Sequence, residues 1–190
     1  MVFPHSTATT NPRRTMRCGE RWRAVVAELG SLGRRPAMQS LDLKVPPLIV
    51  WLVFAGAMFG VAHVAPGISY TLPARFALAL ALVVLGGAVA LAGVVAFRSK
   101  RTTVNPLTPG ASSSVVSSGV YRVSRNPMYL GFFLALAGWA LYLSNVAAVL
   151  LLPAFVAYLT RYQIKPEERA LLAKFGPEFA QYMARVRRWV

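Results

Sequence analysis

Two long apolar stretches are the feature that most constrains the fold of this chain. They cover residues 45–63 and 74–97 and carry almost no charged side chain. A hydrocarbon core about 30 Å thick is crossed by about 20 helical residues, so each stretch is long enough to span a membrane. We therefore expect an all-α integral membrane protein, in which residues 45–97 form two transmembrane helices.

Two shorter apolar stretches follow, at residues 128–143 and 146–160. Only Ser144 and Asn145 separate them, so the sequence predicts a short helical hairpin and about four transmembrane helices in total. Pro153 lies inside the second arm and lacks an amide hydrogen. We expect it to break or kink that arm.

Composition agrees with a membrane location. Of the 190 residues, 56% are hydrophobic and only 14% are charged, whereas a soluble domain carries about 25% charged residues. The formal net charge is +15. Because the basic residues flank the apolar stretches, anionic membrane lipids explain the excess, and no nucleic-acid partner is expected.

The position of the basic residues predicts the orientation in the membrane. The loop at 64–73 and the hairpin tip carry no charge, and basic residues flank the opposite ends of all four stretches. By the positive-inside rule, both termini and residues 98–125 face the cytoplasm of a multi-pass protein. The flanking bases are Arg34, Arg35, Lys44, Arg98, Lys100, Arg101, Arg122, Arg125, Arg161 and Lys165.

Residues 1–44 are polar and basic, without periodicity. They lack the apolar core of a secretory signal, so we expect a disordered cytoplasmic extension, with an organellar transit peptide as the alternative. Met38 is a plausible start of translation, and residues 21–29 favour a short surface helix. Cys18, His5 and His63 are scattered, and no metal site is expected.

The C-terminal segment, residues 166–190, has helical periodicity with Gly176-Pro177 as a bend. Glu167 and Glu168 fall in its first turn, where the helix dipole favours negative charge. Its basic, Trp-containing end is typical of an amphipathic helix at a membrane interface.

Polar chemistry is concentrated in two clusters, residues 112–129 and 161–169. A hairpin returns its two ends to the same side of the membrane, so these clusters should be neighbours. Arg125, Asn126, Tyr121 and Tyr129 are then expected beside Glu167 and Glu168. Taken singly, such residues also serve as interfacial anchors and helix caps; together they indicate a binding site.

The segment "GVYRVSRNPMYLG", a short hairpin, and then "EERALLAKFGPEFAQY" resemble the isoprenylcysteine carboxyl methyltransferase family. That family is related to the membrane-embedded phospholipid N-methyltransferases. The resemblance implies an integral membrane enzyme that uses S-adenosyl-L-methionine, with the cofactor pocket at the cytosolic boundary. It also implies a lipid-like or prenylated acceptor and makes residues 98–190 the catalytic half.

The resemblance assigns roles to individual residues. It implies cofactor contacts at Ser113, Ser114, Val115, Val116, Tyr121, Asn126, Pro127, Met128 and Tyr129. It makes Arg125, Glu167 and Glu168 the catalytic candidates, and places Gln163 and Glu167 on the substrate side. Two positions depart from the family pattern. Asn126 replaces a histidine and cannot carry a proton near neutral pH. Gln163 replaces an arginine, which puts a prenylcysteine carboxylate substrate in question.

Methyl transfer from a sulfonium depends mainly on positioning and electrostatics. A carboxylate near the cofactor would hold its amino group or favour its sulfonium, and an arginine such as Arg125 would clamp a carboxylate of cofactor or substrate. An ionised carboxylate acceptor needs no base. An amine acceptor must lose a proton, which makes Glu167 or Glu168 a candidate base.

Two other functions fit parts of the same pattern. Membrane sterol reductases, which use NADPH, also carry an Arg-x-Pro-x-Tyr stretch before a short hairpin. A non-catalytic membrane scaffold or binding subunit would use the polar clusters as anchors. The acceptor and the oligomeric state do not follow from the sequence.

Overall fold

The computed structural model describes residues 43–99 and 115–190, and these residues form helices joined by short loops. The helices are α1 (Pro47–Val64), α2 (Arg75–Ser99), α3 (Pro127–Leu143), α4 (Val146–Leu159), α5 (Lys165–Phe175) and α6 (Pro177–Arg185). Five residues in a π-helical turn, Thr160–Ile164, join α4 to α5, and 3-10 turns occur at Pro66–Ile68 and Gly119–Arg122. The predicted all-α architecture is confirmed.

In the described part of the chain, three helical segments are long and apolar enough to cross a membrane: Pro47–Val64, Arg75–Arg98 and Val146–Phe175. The apolar helix α3 is shorter. Large apolar side chains on the outer faces stay more than half exposed, as at Val53, Leu80 and Leu150. Faces of this kind suit contact with lipid hydrocarbon, as in a membrane protein.

Helices α2 and α3 pack antiparallel along a seam of small residues. A Cβ atom placed on Gly86 would lie 2.5 Å from the carbonyl oxygen of Gly131, and one on Gly138 would lie 2.7 Å from that of Ala79. Real Cβ contacts are not this short, so the two backbones approach closely only because these positions lack side chains. Small residues drive helix association in membranes in the same way, because apolar burial gives no advantage there.

Helix α1 packs against both arms of the hairpin. The indole nitrogen Nε1 of Trp51 donates to the carbonyl of Phe132 at 3.0 Å, and that of Trp139 donates to the carbonyl of Ala55 at 3.0 Å. The ring of Phe54 meets that of Phe155 edge-on, with centroids 5.3 Å apart. These contacts enclose a buried apolar core that reaches from Val50 and Met58 to Tyr129 and Ile164.

The hairpin turns at the two predicted residues. Ser144 adopts a left-handed conformation, with a φ of 50°, and ends α3. The Asn145 side chain accepts hydrogen bonds from the amides of Ala147 and Ala148, which caps α4. Its Nδ2 also donates to the carbonyl of Ala65, 2.8 Å away, so this residue joins the tip to the end of α1.

One cation lies at the hairpin tip, although the sequence analysis assigned no charge to this region. Arg75 opens α2, and its Nη1 donates to the Ser144 hydroxyl at 3.4 Å. Its guanidinium carbon lies 4.7 Å from the centroid of the Phe76 ring. We call this side the tip end, and the opposite side, where Arg98, Arg125 and Arg161 lie, the basic end.

The break expected at Pro153 in the fourth apolar stretch is absent. Helix α4 continues through Pro153 without a break, and the irregularity comes later, at Thr160–Ile164. A proline is tolerated inside a membrane helix when its surroundings restrain the chain. Glu167 and Glu168 lie in the first turn of α5, as predicted, and the helical Ile164 joins that turn directly to the π-helical turn before it.

The C-terminal segment bends at Gly176, as predicted, but its last helix stops before the basic, Trp-containing end of the chain. Gly176 has a φ of 51° and a ψ of −122°, and α6 stops at Arg185. Residues 186–190 then run back onto the protein, where Trp189 donates from Nε1 to the Thr160 hydroxyl at 3.3 Å. Tertiary contacts, rather than amphipathic periodicity alone, position this end of the chain.

Some expectations concern residues outside the described ranges. They include the disordered extension, the helix at 21–29, the start at Met38, and the side chains of Cys18 and His5. The cofactor candidates Ser113 and Ser114, and the basic residues Lys100 and Arg101, also lie outside those ranges.

Candidate functional site

The basic end brings together the two polar clusters that are distant in the sequence. Helix α3 begins there with Pro127, and α5 begins there with Lys165, so the open end of the hairpin places the residues before and after it side by side. The expected proximity of Tyr129 to Glu167 and of Arg125 to Glu168 is present. Glu167 and Glu168, although adjacent in sequence, belong to two separate networks.

The first network joins Tyr129 and Glu167. The Tyr129 hydroxyl donates to Oε2 of Glu167 at 3.2 Å, and Tyr129 is 3% exposed. Tyr121 lies nearby: burial, and then the charge of Glu167, raises the pKa of its phenol well above the ordinary value. Two phenols and one carboxylate therefore converge at the basic end.

The second network is an ion-pair cluster around Glu168. Arg125 approaches Oε1 of Glu168 with its Nη2 at 2.9 Å, and Arg188 approaches Oε2 with its Nη2 at 2.7 Å. The Nε of Arg188 also donates to both carboxylate oxygens, at 3.1 and 3.2 Å. The Arg125 and Glu168 side chains are only 9% and 10% exposed. The Glu168 carboxylate is therefore nearly buried, and both of its oxygens are paired with guanidinium groups.

Arg125 and Asn126 also hold the C-terminal segment. Arg125 donates from its backbone amide to the carbonyl of Arg187 and from Nη1 to that of Met183, both at 3.0 Å. Asn126 donates from Nδ2 to the carbonyl of Arg188 at 2.9 Å. The Asn126 side chain does not cap α3, so its amide binds the protein's own backbone.

A separate apolar cluster fixes the position of Tyr121. The hydroxyl of Tyr182 donates to the carbonyl of Tyr121 at 2.8 Å, and the ring of Phe97 meets the Tyr121 ring edge-on, with centroids 5.2 Å apart. Val116 and Phe179 are buried in the same cluster, and Val115 packs against it. Burial raises the pKa of Tyr182 to about 12, against the opposing effect of Arg125, so this hydroxyl stays a donor at neutral pH.

Gln163 lies in the π-helical turn and is fully buried. Its Nε2 donates to the carbonyl of Val45 at 2.6 Å, at the start of α1. Its Oε1 is buried without a hydrogen-bond partner among the described residues. A buried acceptor left in this state costs roughly 1–3 kcal/mol, and π-helical turns are frequent at functional sites.

Pro127 and Met128 pack against α2. A Cβ atom placed on Gly93 would lie 2.9 Å from Cγ of Met128 and 3.4 Å from Cγ of Pro127. These two residues therefore take part in the α2–α3 seam. Among the predicted cofactor residues that the structure describes, Tyr129 and Tyr121 interact with Glu167, the first by a hydrogen bond and the second electrostatically.

The sequence analysis missed two contributors. Arg188 completes the ion-pair cluster, and Trp189 fastens the chain end to Thr160. Both residues lie in the segment "RVRRWV". The sequence analysis assigned this segment to the membrane surface, because basic and aromatic residues are common at a lipid interface. The signal that could have found Arg188 was the excess of basic residues in the C-terminal segment, which also contains the acidic pair Glu167 and Glu168.

The residues described by the structure contain no group of three or more His, Cys, Asp or Glu side chains that could hold a metal ion. His63 instead lies near its own helix, with Nδ1 3.3 Å from the carbonyl of Phe59.

Comparison with known proteins decides the family. The family model described as phospholipid methyltransferase matches residues 74–178, which is more than half of the chain. The chain belongs to this family. The matched region starts at α2, contains the α3–α4 hairpin and ends in the first turn of α6, so it includes Tyr121, Tyr129, Glu167 and Glu168.

Two proteins with similar sequences cover parts of this chain. An uncharacterized protein of Haemophilus influenzae is 41% identical over 63 residues, which are 33% of this chain and 100% of that protein. A protein-S-isoprenylcysteine O-methyltransferase of Schizosaccharomyces pombe is 32% identical over 72 residues, which are 38% of this chain and 30% of that enzyme. No solved structure gives a significant match.

Family membership favours a membrane methyltransferase over the reductase and the scaffold considered from the sequence. The chain matches less than a third of the length of the Schizosaccharomyces pombe enzyme. Its methyl donor and acceptor therefore have to be argued from its own residues.

Proposed function

We propose that this protein transfers a methyl group from S-adenosyl-L-methionine to a lipid-like or prenylated acceptor at the cytosolic boundary of a membrane. The acceptor atom belongs to a carboxylate or an amine. The observation that carries the proposal is the hydrogen bond between Tyr129 and Glu167, with Tyr121 close by, at the basic end of a membrane helix bundle.

These residues suit the cofactor chemically. S-adenosyl-L-methionine carries a positive sulfonium and an ammonium group, and a carboxylate such as that of Glu167 attracts both. The faces of Tyr121 and Tyr129 suit a cation or the adenine ring. Val115, Val116 and the two serines before them would supply further contacts from the segment leading into Tyr121.

Arg125 and Glu168 are better assigned to positioning than to contact with substrate. Both Nη atoms of Arg125 are occupied, one by the Met183 carbonyl and one by Glu168. A clamp on a ligand carboxylate would require breaking these bonds. We therefore place Arg125, Asn126 and Glu168 in the support that holds Tyr129 and Glu167 in place.

Gln163 remains the candidate on the substrate side. Its buried Oε1 is an acceptor without a partner among the described residues, one helical turn before Glu167. A methyl-acceptor substrate with an N–H or O–H group would donate a hydrogen bond to this oxygen. Asn126 is held by the chain end through Nδ2, so we assign it no proton transfer.

The bound cofactor would supply an electrophilic methyl group, and no acid is needed for its leaving thioether. The protein's task is then to orient the acceptor and exclude water. For an amine acceptor, an oxygen of Glu167 would take the proton while Tyr129 holds the carboxylate in place. For a carboxylate acceptor, Glu167 would act only through its charge.

The distribution of charge supports the proposed orientation. The basic end carries Arg98, Arg122, Arg161 and Lys165, whereas Arg75 is the one cation among residues 64–75 and 144–146 at the tip end. By the positive-inside rule, this distribution supports our proposal that the basic end, and the reaction, face the cytosol. Lipid-like acceptors would enter sideways from the bilayer, while the soluble cofactor arrives from the aqueous side.

Calorimetric titration of detergent-purified protein tests this proposal. We expect saturable binding of S-adenosylmethionine and S-adenosylhomocysteine, no binding of NADPH, and at least tenfold weaker binding in Glu167→Gln. Glu178→Gln is the matched control, because Glu178 is an exposed acid in the first turn of the next helix. Binding of NADPH alone would support the reductase, and folded protein that binds none of the three would support the scaffold.

A further inference from the structure

An apolar groove runs along the outer side of α4. Its volume is about 670 Å³, within the range of roughly 300–1,000 Å³ that small-molecule sites occupy. Residues of α4 from Val149 to Ala157 form most of its wall, with Phe133 of α3 beside them. Thr160, Arg161 and Lys165 form its end at the basic side.

The length of the groove matches one leaflet of a bilayer. Val149 and Thr160 are eleven residues apart, which corresponds to about 16 Å along a helix. Half of a hydrocarbon core about 30 Å thick is about 15 Å. The apolar part of the groove, which covers most of α4, is therefore long enough to hold one acyl chain whose phosphate lies at the basic end.

The polar end of the groove lies at the level of lipid headgroups. Trp189 donates to the Thr160 hydroxyl, and its ring lies 6.5 Å from that of Phe133, centroid to centroid. Tryptophan is enriched at this depth in membrane proteins. Lys165 is exposed, and the Arg161 guanidinium carbon lies 5.4 Å from the centroid of the Tyr162 ring. Two cations thus stand where a lipid phosphate would be.

We propose that this groove binds one anionic phospholipid of the leaflet at the basic end. An acyl chain lies along Val149, Pro153 and Val156, and the phosphate lies against Lys165 and Arg161. The charge of these two residues selects an anionic headgroup over a zwitterionic one, since each basic residue near a membrane surface favours anionic lipid.

This lipid is distinct from the proposed methyl acceptor. Lys165 and Glu167 are two residues apart in the sequence, and residues at that spacing project from different faces of a helix. A headgroup held by Lys165 therefore lies on a different face of α5 from the Glu167 side chain. The inference stands whether or not the protein proves to be a methyltransferase.

Native mass spectrometry of the intact protein tests the proposal. The protein is incubated in detergent with equal amounts of phosphatidylglycerol and phosphatidylcholine of the same acyl chains, and the retained lipid is counted. We expect one phosphatidylglycerol per protein, with a preference over phosphatidylcholine of about tenfold. We expect Lys165→Gln to lower that preference about fivefold and Val156→Trp, which fills the groove, to reduce retention of both lipids.

Arg98→Gln is the matched control, because Arg98 is an exposed cation at the basic end of α2, outside the groove. It should leave retention unchanged. Equal retention of the two lipids, an equal effect of Lys165→Gln and Arg98→Gln, or retention in a folded Val156→Trp protein would overturn the proposal. So would a dimer that excludes lipid from this face. Lys165→Gln changes an exposed side chain, so the test does not depend on Val156→Trp folding.

Discussion

The hydroxyl of Tyr129 donates a hydrogen bond to Glu167 across 3.2 Å, although the two residues are 38 positions apart in the sequence. Tyr129 lies in the first turn of α3 and Glu167 in the first turn of α5, so the bond closes the open end of the hairpin. It also fixes the carboxylate that we propose to contact the methyl donor.

Tyr129→Phe should weaken binding of S-adenosylhomocysteine about tenfold or more. A hydrogen bond to a charged group contributes roughly 1.5–3 kcal/mol, and without it the Glu167 carboxylate is free to reorient. Calorimetry gives the dissociation constant. Tyr142→Phe is the control, since Tyr142 is a partly exposed tyrosine near the tip end. An unchanged affinity in folded Tyr129→Phe would remove this residue from the proposed site.

The two arginines that contact Glu168 should differ in their effect on stability. Arg125→Gln leaves a nearly buried ion pair incomplete, and breaking such a pair costs about 3–5 kcal/mol. The Arg188 side chain is 33% exposed, so solvent screens it and Arg188→Gln should cost about 1 kcal/mol. Thermal unfolding in detergent measures both variants. Equal costs would show that burial does not govern this cluster.

Adjacent glycines in α2 should respond oppositely to alanine. A Cβ on Gly86 meets the carbonyl of Gly131, whereas one on Gly87 meets nothing within 4 Å. Gly86→Ala must separate α2 from α3 and should cost about 1–3 kcal/mol. Gly87→Ala should be neutral or stabilise by up to about 1 kcal/mol, because alanine favours the helix. Unfolding curves that rank the two variants the other way would contradict the proposed seam.

Gly176→Ala should destabilise the protein by roughly 1–3 kcal/mol, because the backbone there has a φ of 51° and a ψ of −122°. Asparagine tolerates the ordinary left-handed helical region, but this ψ lies outside it, so Gly176→Asn should not rescue the loss. Proteolysis of the C-terminal segment reports the effect. Full protection in both variants would mean that α6 keeps its position without this glycine.

Tyr182 should make stability depend on pH under alkaline conditions. Burial raises its pKa from 10.0 to about 12 in the folded protein, so its stabilising contribution is complete below pH 10. As pH rises from 10 to 12 the unfolded chain loses the proton first, and stability on the order of 1–2 kcal/mol is lost, since solvent partly screens this phenol. The difference in unfolding free energy between the protein and Tyr182→Phe should shrink over this interval. A constant difference would show that this phenol titrates normally.

The sequence predicted the helical framework well, because that framework depends on local properties. Hydropathy and length placed the ends of α1 to α4 within a few residues, and Ser144 with Asn145 marked the hairpin tip. Pro153 was the exception. A proline that interrupts helices in water is accommodated within α4, so its effect depends on its surroundings.

The candidate site was predicted only as a neighbourhood. Two polar clusters at the ends of one hairpin had to meet, and that followed from topology. Their pairing did not follow, because it depends on how each helix is rotated and on where the chain end returns. Glu167 and Glu168 are adjacent, yet one contacts a phenol of α3 and the other binds two arginines.

The sequence alone thus determined that this is a helical membrane protein with its polar residues concentrated at one end. The length of the apolar stretches and the positions of the charged residues are local properties that the sequence contains directly. Only the tertiary structure decided that Arg188 completes the Glu168 cluster and that the Gln163 amide turns to the Val45 carbonyl. These contacts join residues far apart in the chain. Their energy depends on burial and distance, which no local pattern contains.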